Sequence, residues 1–316
     1  MDMTELHIHL EGAVPIKAMA EIYRRHGHPE LGDPERVKEF IRFEGFSDFL
    51  SRFKHFLTYM KAAEDYAFLT EAALANLADD GIRDVELTIS LGAASFFHGL
   101  DWTHVLEEIA RGYSAAHTAT GIEMRILVDL IRNHGPEAGW KAARFAAENR
   151  HLNIAGINLG GDEANYPAAP YTEIYAFARD QGLGLTAHAG EAAGPESVWA
   201  CVNLLKVDRI GHGTRAAEDP ALLETIAERG IAIEACPTSN VRTGAVASLA
   251  DHPLRKFLDA GCRVCLNTDD PTFFGVRLSD EFRQCAETHR LSDDEVQSLH
   301  RVAREAAFTG RPVRSM

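Results

Sequence analysis

Short apolar runs alternate with longer amphipathic stretches along most of the chain. The apolar runs predict eight strands, at residues 5–7, 82–90, 122–130, 154–159, 183–188, 209–210, 231–236 and 262–268. The stretches between several of them carry apolar residues at helical spacing, over residues 101–120, 135–149, 171–181, 195–205 and 220–229. Strands that alternate with helices form parallel sheets, so the pattern predicts an α/β protein with a (β/α)8 TIM barrel.

Two segments depart from this simple alternation. Residues 15–79 are too long for one crossover helix, and apolar residues recur at helical spacing over 46–60, which predicts a helical lid inserted after strand one. Residues 292–308 predict a C-terminal amphipathic helix. Because no Ser-rich linker, internal repeat or low-complexity tract divides the chain, residues 1–316 are predicted to form a single barrel domain.

Charge and composition restrict the kind of partner. The formal net charge of −15 argues against a nucleic-acid groove or an anionic membrane surface, because phosphate groups are bound by clustered Lys and Arg. A small molecule is the expected ligand. The sequence shows neither a basic-then-apolar leader nor an apolar run of membrane-spanning length, which predicts a cytoplasmic protein. The 5 cysteines are an odd number scattered through the second half, so we expect them to be reduced.

Histidines and carboxylates follow several of the predicted strands. In a parallel barrel the ends of all strands meet at one face, where catalytic residues lie. Side chains of these types, brought together from distant segments, are typical of a metal site. The candidates are His7, His9, His188, Glu191, His212, Asp269 and Asp270.

Six short motifs in fixed order identify a family resemblance. They are HIHLEG, GGDE, HAGE, RIGHG, CPTSN and NTDDP, between residue 5 and about residue 275. An isolated HxH or DD pair occurs often by chance, but six motifs in this order at barrel-like intervals do not. In these motifs the chain resembles the adenosine deaminase family, the purine-deaminating branch of the amidohydrolases.

The resemblance implies one Zn²⁺ per chain. His7 and His9 lie two apart on a strand and therefore share a face, although an isolated pair of this kind is more often a pair without a metal. The family pattern assigns His7, His9, His188 and Asp269 as the four ligands. A catalytic zinc keeps one further position for water, whose pKa falls to about 7.

The resemblance also assigns catalytic roles to Glu191, His212 and Asp269. Glu191 is similar to the residue that donates a proton to the purine ring nitrogen as water attacks C6, a role that requires a raised pKa. His212 is similar to the histidine that orients and deprotonates the attacking water. A lone histidine in a GHG sequence is more often part of a turn, and its place in the motif series carries the catalytic assignment.

Substrate contacts are carried over in the same way. Asp270 is expected on the imidazole side of the purine, His9 beside both metal and substrate, and the backbone N–H of Gly161 against the purine ring. The two aromatic side chains Phe49 and Phe53 match an apolar wall over the ribose. Aromatic residues four apart on a helix are equally typical of a simple core, so both interpretations stay open.

Departures from the family pattern concern the sugar side of the substrate. Glu11 stands where true adenosine deaminases carry an Asp that meets the ribose 5′-hydroxyl, and members that act on free adenine or modified nucleosides also tend to have Glu there. The stretch 91–97 differs from the usual loop after strand two, and Asn158 replaces a common acidic residue.

The principal hypothesis is zinc-dependent hydrolytic deamination of an adenosine-like 6-aminopurine nucleoside. The alternative substrates are adenine or a modified nucleoside such as aminodeoxyfutalosine. A binuclear amidohydrolase is disfavoured because residues 154–163 hold no bridging lysine. A catalytically inactive purine-binding barrel would have lost a ligand or Glu191, and none is lost. The sequence makes no prediction of oligomeric state.

Overall fold

Eight parallel strands form the centre of the molecule in the computed structural model, which describes residues 2–308. The sheet runs in chain order from first to last strand, each hydrogen-bonded to the next. This arrangement confirms the predicted (β/α)8 barrel. The strands are β1 (Met3–His9), β2 (Ile82–Ile89), β3 (Glu123–Asp129), β4 (Ile154–Asn158), β5 (Gly184–Ala189), β6 (Arg209–His212), β7 (Ala232–Ala235) and β8 (Arg263–Leu266).

Sixteen α-helices occupy the connections and the C-terminal part of residues 2–308. They are α1 (Leu10–Ala13), α2 (Ile16–Arg25), α3 (Pro34–Phe40), α4 (Gly45–Leu57), α5 (Ala63–Asp79), α6 (Leu91–His98), α7 (Trp102–Thr120), α8 (Gly135–Glu148), α9 (Thr172–Asp180), α10 (Pro195–Ala200), α11 (Pro220–Glu228), α12 (Pro237–Thr243), α13 (Leu254–Asp259), α14 (Pro271–Phe274), α15 (Leu278–His289) and α16 (Asp293–Ala306).

Local signals in the sequence explain where the helices begin and end. The side chain of Asp101 accepts a hydrogen bond from the backbone N–H of His104 at the start of α7, and Gly121, with φ of +74°, ends that helix. The helix predicted over 195–205 is α10 followed by a π-helical turn, Cys201–Leu205. The stretch 91–97, which we interpreted as a loop, is instead the short helix α6.

The barrel is nearly closed by contacts between β1 and the chain after β8. The backbone N–H of His9 donates to the carbonyl of Asp269, and that of Asp269 donates to the carbonyl of His7, each over 3.0 Å. Asn267 extends this seam, because its side-chain Oδ1 accepts from the N–H groups of Leu6 at 2.8 Å and His7 at 3.1 Å. The seam fixes the turn after β8 directly against the first strand.

The insertion between β1 and β2 is helical, as predicted, and comprises α1 to α5. Phe49 and Phe53 of α4 pack against Phe273, with ring centroids 5.8 and 5.6 Å apart. Phe273 belongs to α14, which begins directly after Asp270. The insertion therefore contacts the carboxyl end of β8. Whether it acts as a lid stays a prediction.

The opposite end of the barrel is sealed by the end of the described chain. Phe308 follows α16, is only 3% exposed, and lies beneath the guanidinium of the fully buried Arg209, whose central carbon is 3.7 Å from the ring centroid. A side chain at Gly184 would overlap the Phe308 ring. Arg209 also donates to Glu86 over 2.6 Å. Phe308 thus packs on a buried ion pair.

We expect Phe308→Ala to lower the free energy of unfolding by about 3 kcal/mol. The substitution removes a buried ring, leaves a cavity beside Gly184 and exposes the Arg209–Glu86 pair. Urea denaturation monitored by circular dichroism measures the change. The matched control is Phe96→Ala, because Phe96 is 72% exposed and its removal should change stability by less than about 0.5 kcal/mol. Equal stability of the two variants would contradict the sealing role.

Within residues 2–308, none of the helices has the length and apolar character needed to cross a membrane. All 5 cysteines are free and buried.

Candidate active site

Three histidines and one carboxylate converge at the carboxyl ends of β1, β5 and β8. The Nε2 atom of His188 lies 3.1 Å from that of His7 and 3.4 Å from that of His9. One carboxylate oxygen of Asp269 is 3.6 Å from His7 Nε2 and 3.4 Å from His9 Nε2. The four candidate ligand atoms all lie within 4.8 Å of one another. The structure therefore brings together the whole ligand set that the sequence predicted.

The backbone at Asp269 is unusual for a residue with a side chain. Its φ is +65°, in the left-handed region that a non-glycine residue rarely adopts. Hydrogen bonds to β1 on both sides hold it there, and the serine hydroxyl of Ser239 donates to its second oxygen at 2.7 Å. The tertiary structure thus offsets the local strain, and the carboxylate stays directed at His7 and His9.

Each of two histidines in the cluster has a fixed partner for its Nδ1 atom. Glu234 Oε2 lies 2.8 Å from Nδ1 of His7, and Asn158 Oδ1 lies 3.1 Å from Nδ1 of His188. When the proton of each ring is on Nδ1, the lone pair of Nε2 is available to a metal. Glu234 was missed by the sequence analysis, although a single carboxylate within the apolar strand β7 is a recognisable signal.

The electrostatics of the cluster favour a bound cation. Burial lowers the pKa of His7, yet Asp269 and Glu234 outweigh it and raise that pKa to about 10, so this ring favours a positive charge and a metal bound at Nε2 would displace the proton there. Burial lowers the pKa of His9 to about 4 and that of His188 well below its usual value, so both rings are neutral. Neutral imidazoles and a carboxylate are the forms that bind a divalent metal. The donor set fits zinc in number and type.

Glu191 lies beside this cluster with its carboxyl held on two sides. The hydroxyl of Thr243 donates to its Oε1 at 3.2 Å, and its Oε2 is 3.5 Å from Nε2 of His212. Burial, followed by the negative charge of Asp269, raises the pKa of Glu191 to about 8. A carboxyl group with that pKa is protonated at neutral pH and can donate a proton.

His212 is fully buried and neutral. Its φ of +63° is a second left-handed conformation at a candidate catalytic residue. Burial lowers its pKa to about 3. The side-chain amide of Asn240 lies 3.0 Å from Nδ1 and fixes the ring plane, while Nε2 faces Glu191.

The structure explains the role of the CPTSN motif. It opens helix α12, which directs three polar side chains at the cluster: Ser239 contacts Asp269, Asn240 contacts His212, and Thr243 contacts Glu191. Sequence reasoning marked the motif but found no role for it, because its partners lie in other strands and loops.

Glu11 and Asp270 form a second pair of buried carboxyl groups. Glu11 Oε1 accepts from the backbone N–H of Ser90 at 3.2 Å, whereas Glu11 Oε2 and Asp270 Oδ1 have no hydrogen-bond partner within residues 2–308. Burial raises the pKa of Glu11 to about 7. Burial and the neighbouring Asp269 raise that of Asp270 well above its usual range, with a smaller contribution from Glu11.

The remaining predicted substrate contacts are Gly161, Phe49 and Phe53. Gly161 follows β4 with φ of +92°, and a side chain there would approach Asn133 Oδ1 to 2.6 Å, so only glycine fits. Phe49 is buried. Together with Phe53, its neighbour on α4, it packs against α14 as part of the hydrophobic core. Their contact with substrate stays a prediction, as does that of Gly161.

A parallel barrel with histidines and acidic groups at its strand ends is the architecture of the metal-dependent amidohydrolases. The family model of adenosine deaminase matches residues 3–316. The chain belongs to the adenosine deaminase family, which confirms the resemblance noted in the sequence. It is a hydrolase that acts on C–N bonds, and its reaction class is purine deamination.

Several proteins with a known name or a solved structure are similar to this chain. An adenine deaminase of Agrobacterium fabrum (strain C58 / ATCC 33970) is 39% identical over 310 residues, which cover 98% of this chain and 94% of that protein. The crystal structure of an adenine deaminase from Arthrobacter aurescens gives a TM-score of 0.90 at 27% identity, covering 98% and 94% of the two chains. An amidohydrolase from Burkholderia ambifaria with bound Zn also gives 0.90, at 26% identity and 98% and 86% coverage.

Proposed function

We propose that this protein is an adenine deaminase that converts free adenine and water to the 6-oxopurine and ammonia, with one Zn²⁺ per chain. The names of the relatives favour this alternative over the nucleoside that the sequence analysis ranked first. The observation that carries the proposal is the pair of buried carboxyl oxygens on Glu11 and Asp270 that lack hydrogen-bond partners within residues 2–308.

The purine ring of free adenine has one hydrogen-bond donor that the purine ring of adenosine lacks. The imidazole ring of adenine carries an N–H that is replaced by the glycosidic bond in a nucleoside. A buried carboxyl oxygen without a partner costs about 1–3 kcal/mol, and a ligand N–H removes that cost. Glu11 supplies the acceptor for this N–H. Asp270, whose pKa is raised, carries a proton and donates to the other imidazole nitrogen.

The residues around C6 divide the proton transfers between them. Glu191 delivers its proton to ring nitrogen N1 as water attacks C6, which spares the ring a negative charge. His212, neutral and fixed by Asn240, accepts a proton from the attacking water through Nε2. His7, His9, His188 and Asp269 would hold Zn²⁺, which supplies the Lewis acidity that makes water nucleophilic near neutral pH.

We expect kcat/KM for adenine to exceed that for adenosine by at least about 10²-fold. Adenosine lacks the donor that Glu11 accepts from, and it brings a ribose to the position of that donor, so a buried acceptor stays unpaired. Ammonia release from adenine, adenosine, 2′-deoxyadenosine, AMP and aminodeoxyfutalosine, each at equal concentration, measures the preference. Comparable kcat/KM for adenine and adenosine would contradict the proposal, and a preference for aminodeoxyfutalosine would support the modified-nucleoside alternative.

A further inference from the structure

Glu163 binds the loop that carries Glu191. Its carboxylate accepts hydrogen bonds from the backbone N–H groups of four consecutive residues, 190 to 193, at 2.5, 3.1, 2.7 and 3.2 Å. Glu163 is only 5% exposed and belongs to the GGDE motif after β4. The loop joins β5 to α10. One side chain therefore satisfies the whole series of loop donors.

The number of bonds matches the capacity of the group. A carboxylate offers about four acceptor sites, and hydrogen bonds to an ionised acceptor are roughly twice as strong as neutral ones. Donors in a partly buried loop would otherwise lack partners, and each buried N–H without an acceptor destabilises the folded state. Glu163 is thus the principal attachment of this loop to the segment after β4.

The other side of the loop is attached next to His212. The carbonyl of Gly190 accepts from the backbone N–H of Arg215 at 2.9 Å and from the hydroxyl of Thr214, and Gly213 donates to the carbonyl of Ala189 at 3.0 Å. The loop therefore spans from Glu163 to the residues that follow His212. A displacement of the loop would move the Glu191 carboxyl relative to His212.

We propose that Glu163 is a positioning residue for the deamination: it fixes the backbone at Glu191 so that the Glu191 carboxyl stays between Thr243 and His212. The backbone N–H of Glu191 is 3.1 Å from Glu163 Oε2, and its side chain lies 3.2 Å from Thr243 Oγ1 and 3.5 Å from His212 Nε2. This inference rests on the proposed function, because it gives Glu191 the role of proton donor.

The first test is Glu163→Gln with adenine as substrate. The new amide replaces one acceptor oxygen by an N–H₂ group that faces backbone donors, so the loop loses part of its attachment. We expect kcat to fall about 10- to 100-fold, with KM within about 3-fold and one zinc per chain retained. Glu196→Gln is the matched control, because Glu196 is exposed and accepts a hydrogen bond from the backbone N–H of Gly194 in the same loop. Its kcat should be unchanged.

A double-mutant cycle separates positioning from general structural damage. If Glu163 acts through Glu191, then in a Glu191→Gln background the further change Glu163→Gln should lower kcat by less than about 3-fold. If Glu163→Gln lowers kcat in that background by the same factor as in the parental protein, the proposal is overturned. Should Glu163→Gln fail to fold, Glu163→Asp serves in the same cycle: it keeps the charge and both oxygens but withdraws them by about one C–C bond, ~1.5 Å.

Hydrogen exchange gives a readout that needs no turnover. Amides 190–193 should be protected in the parental protein and exchange at least about 10-fold faster in Glu163→Gln or Glu163→Asp, with those of β5 unchanged. Unchanged exchange overturns the proposal, as does faster exchange with parental kcat. A parental protein that does not deaminate adenine refutes the proposed function instead. In that case the exchange result decides the role of Glu163, together with the same mutant cycle run on the 6-aminopurine that the protein does turn over.

Discussion

Glu191→Gln is expected to lower kcat on adenine by roughly 10²–10⁴-fold while the protein keeps its zinc. The amide preserves the size of the side chain and its contact with Thr243, at 3.2 Å in the parental protein, but it has no proton to transfer. Burial, followed by the Asp269 charge, raises the pKa of Glu191 to about 8, which favours the protonated form of the parental group at neutral pH. Steady-state kinetics and metal analysis of the purified variant measure the two quantities.

The outcome distinguishes three roles. Parental turnover in Glu191→Gln would reject the proton-donor role, and loss of zinc would make Glu191 a ligand or a support of the metal. Glu196→Gln again serves as the control, since it makes the same chemical change five residues along the chain at an exposed position. It should retain both kcat and zinc.

His188→Ala should lose the metal and with it nearly all activity. The parental protein is expected to hold about one zinc per chain, because His7, His9, His188 and Asp269 form one complete donor set and β4 contains no bridging lysine. The substitution removes one of the four donors and weakens zinc binding, so kcat should fall by roughly 10³-fold or more. Metal analysis and a zinc-binding titration with a chromophoric chelator report the loss directly.

His134→Ala is the matched control for this experiment. His134 is exposed, stacks against the exposed Phe96, and belongs to no cluster of candidate ligands within residues 2–308. It should retain one zinc per chain. Two tightly bound metal ions in the parental protein, or full zinc occupancy in His188→Ala, would contradict the mononuclear site.

The loss of metal and the loss of the proton donor should be separable. Glu191→Gln reduces kcat with zinc in place, whereas His188→Ala reduces kcat because zinc is gone. Added zinc should therefore restore part of the activity of His188→Ala at most, and none of that of Glu191→Gln. Restoration of both variants by zinc would show that Glu191 acts through the metal.

The barrel could be predicted from local pattern because each strand and helix has its own signal. The strand over residues 82–89 was expected almost to the residue, since apolar and polar residues alternate from Val85 to Ile89 and the strand is bounded by Gly81 and a helix start. The first strand was expected only over 5–7 but extends over Met3–His9, because its pairing with β2 and with Asp269 supports residues of mixed polarity. The stretch 91–97 was misassigned because its helix depends on packing more than on periodicity.

The candidate ligands were also predictable, since the end of every parallel strand lies at one face. His7, His9, His188 and Asp269 could be named from motif and position alone. The side chains that form hydrogen bonds with these ligands could not be predicted in this way. Glu234, Asn158 and Ser239 act only through the side chains that the closed barrel brings within 3.1 Å of them, across 30 to 227 positions in sequence.

Residue types and their order along the chain were enough to predict the α/β barrel, the family and the candidate catalytic residues, because those follow from local pattern and motif. Tertiary structure decided which side chains hold them in place: the seam at Asn267, the attachment of the Glu191 loop by Glu163, and the seal by Phe308. It also supports the proposed adenine substrate, because only burial shows that Glu11 and Asp270 each present an oxygen without a hydrogen-bond partner within residues 2–308. Burial and hydrogen-bond partners arise from contacts between distant segments, and no local pattern contains them.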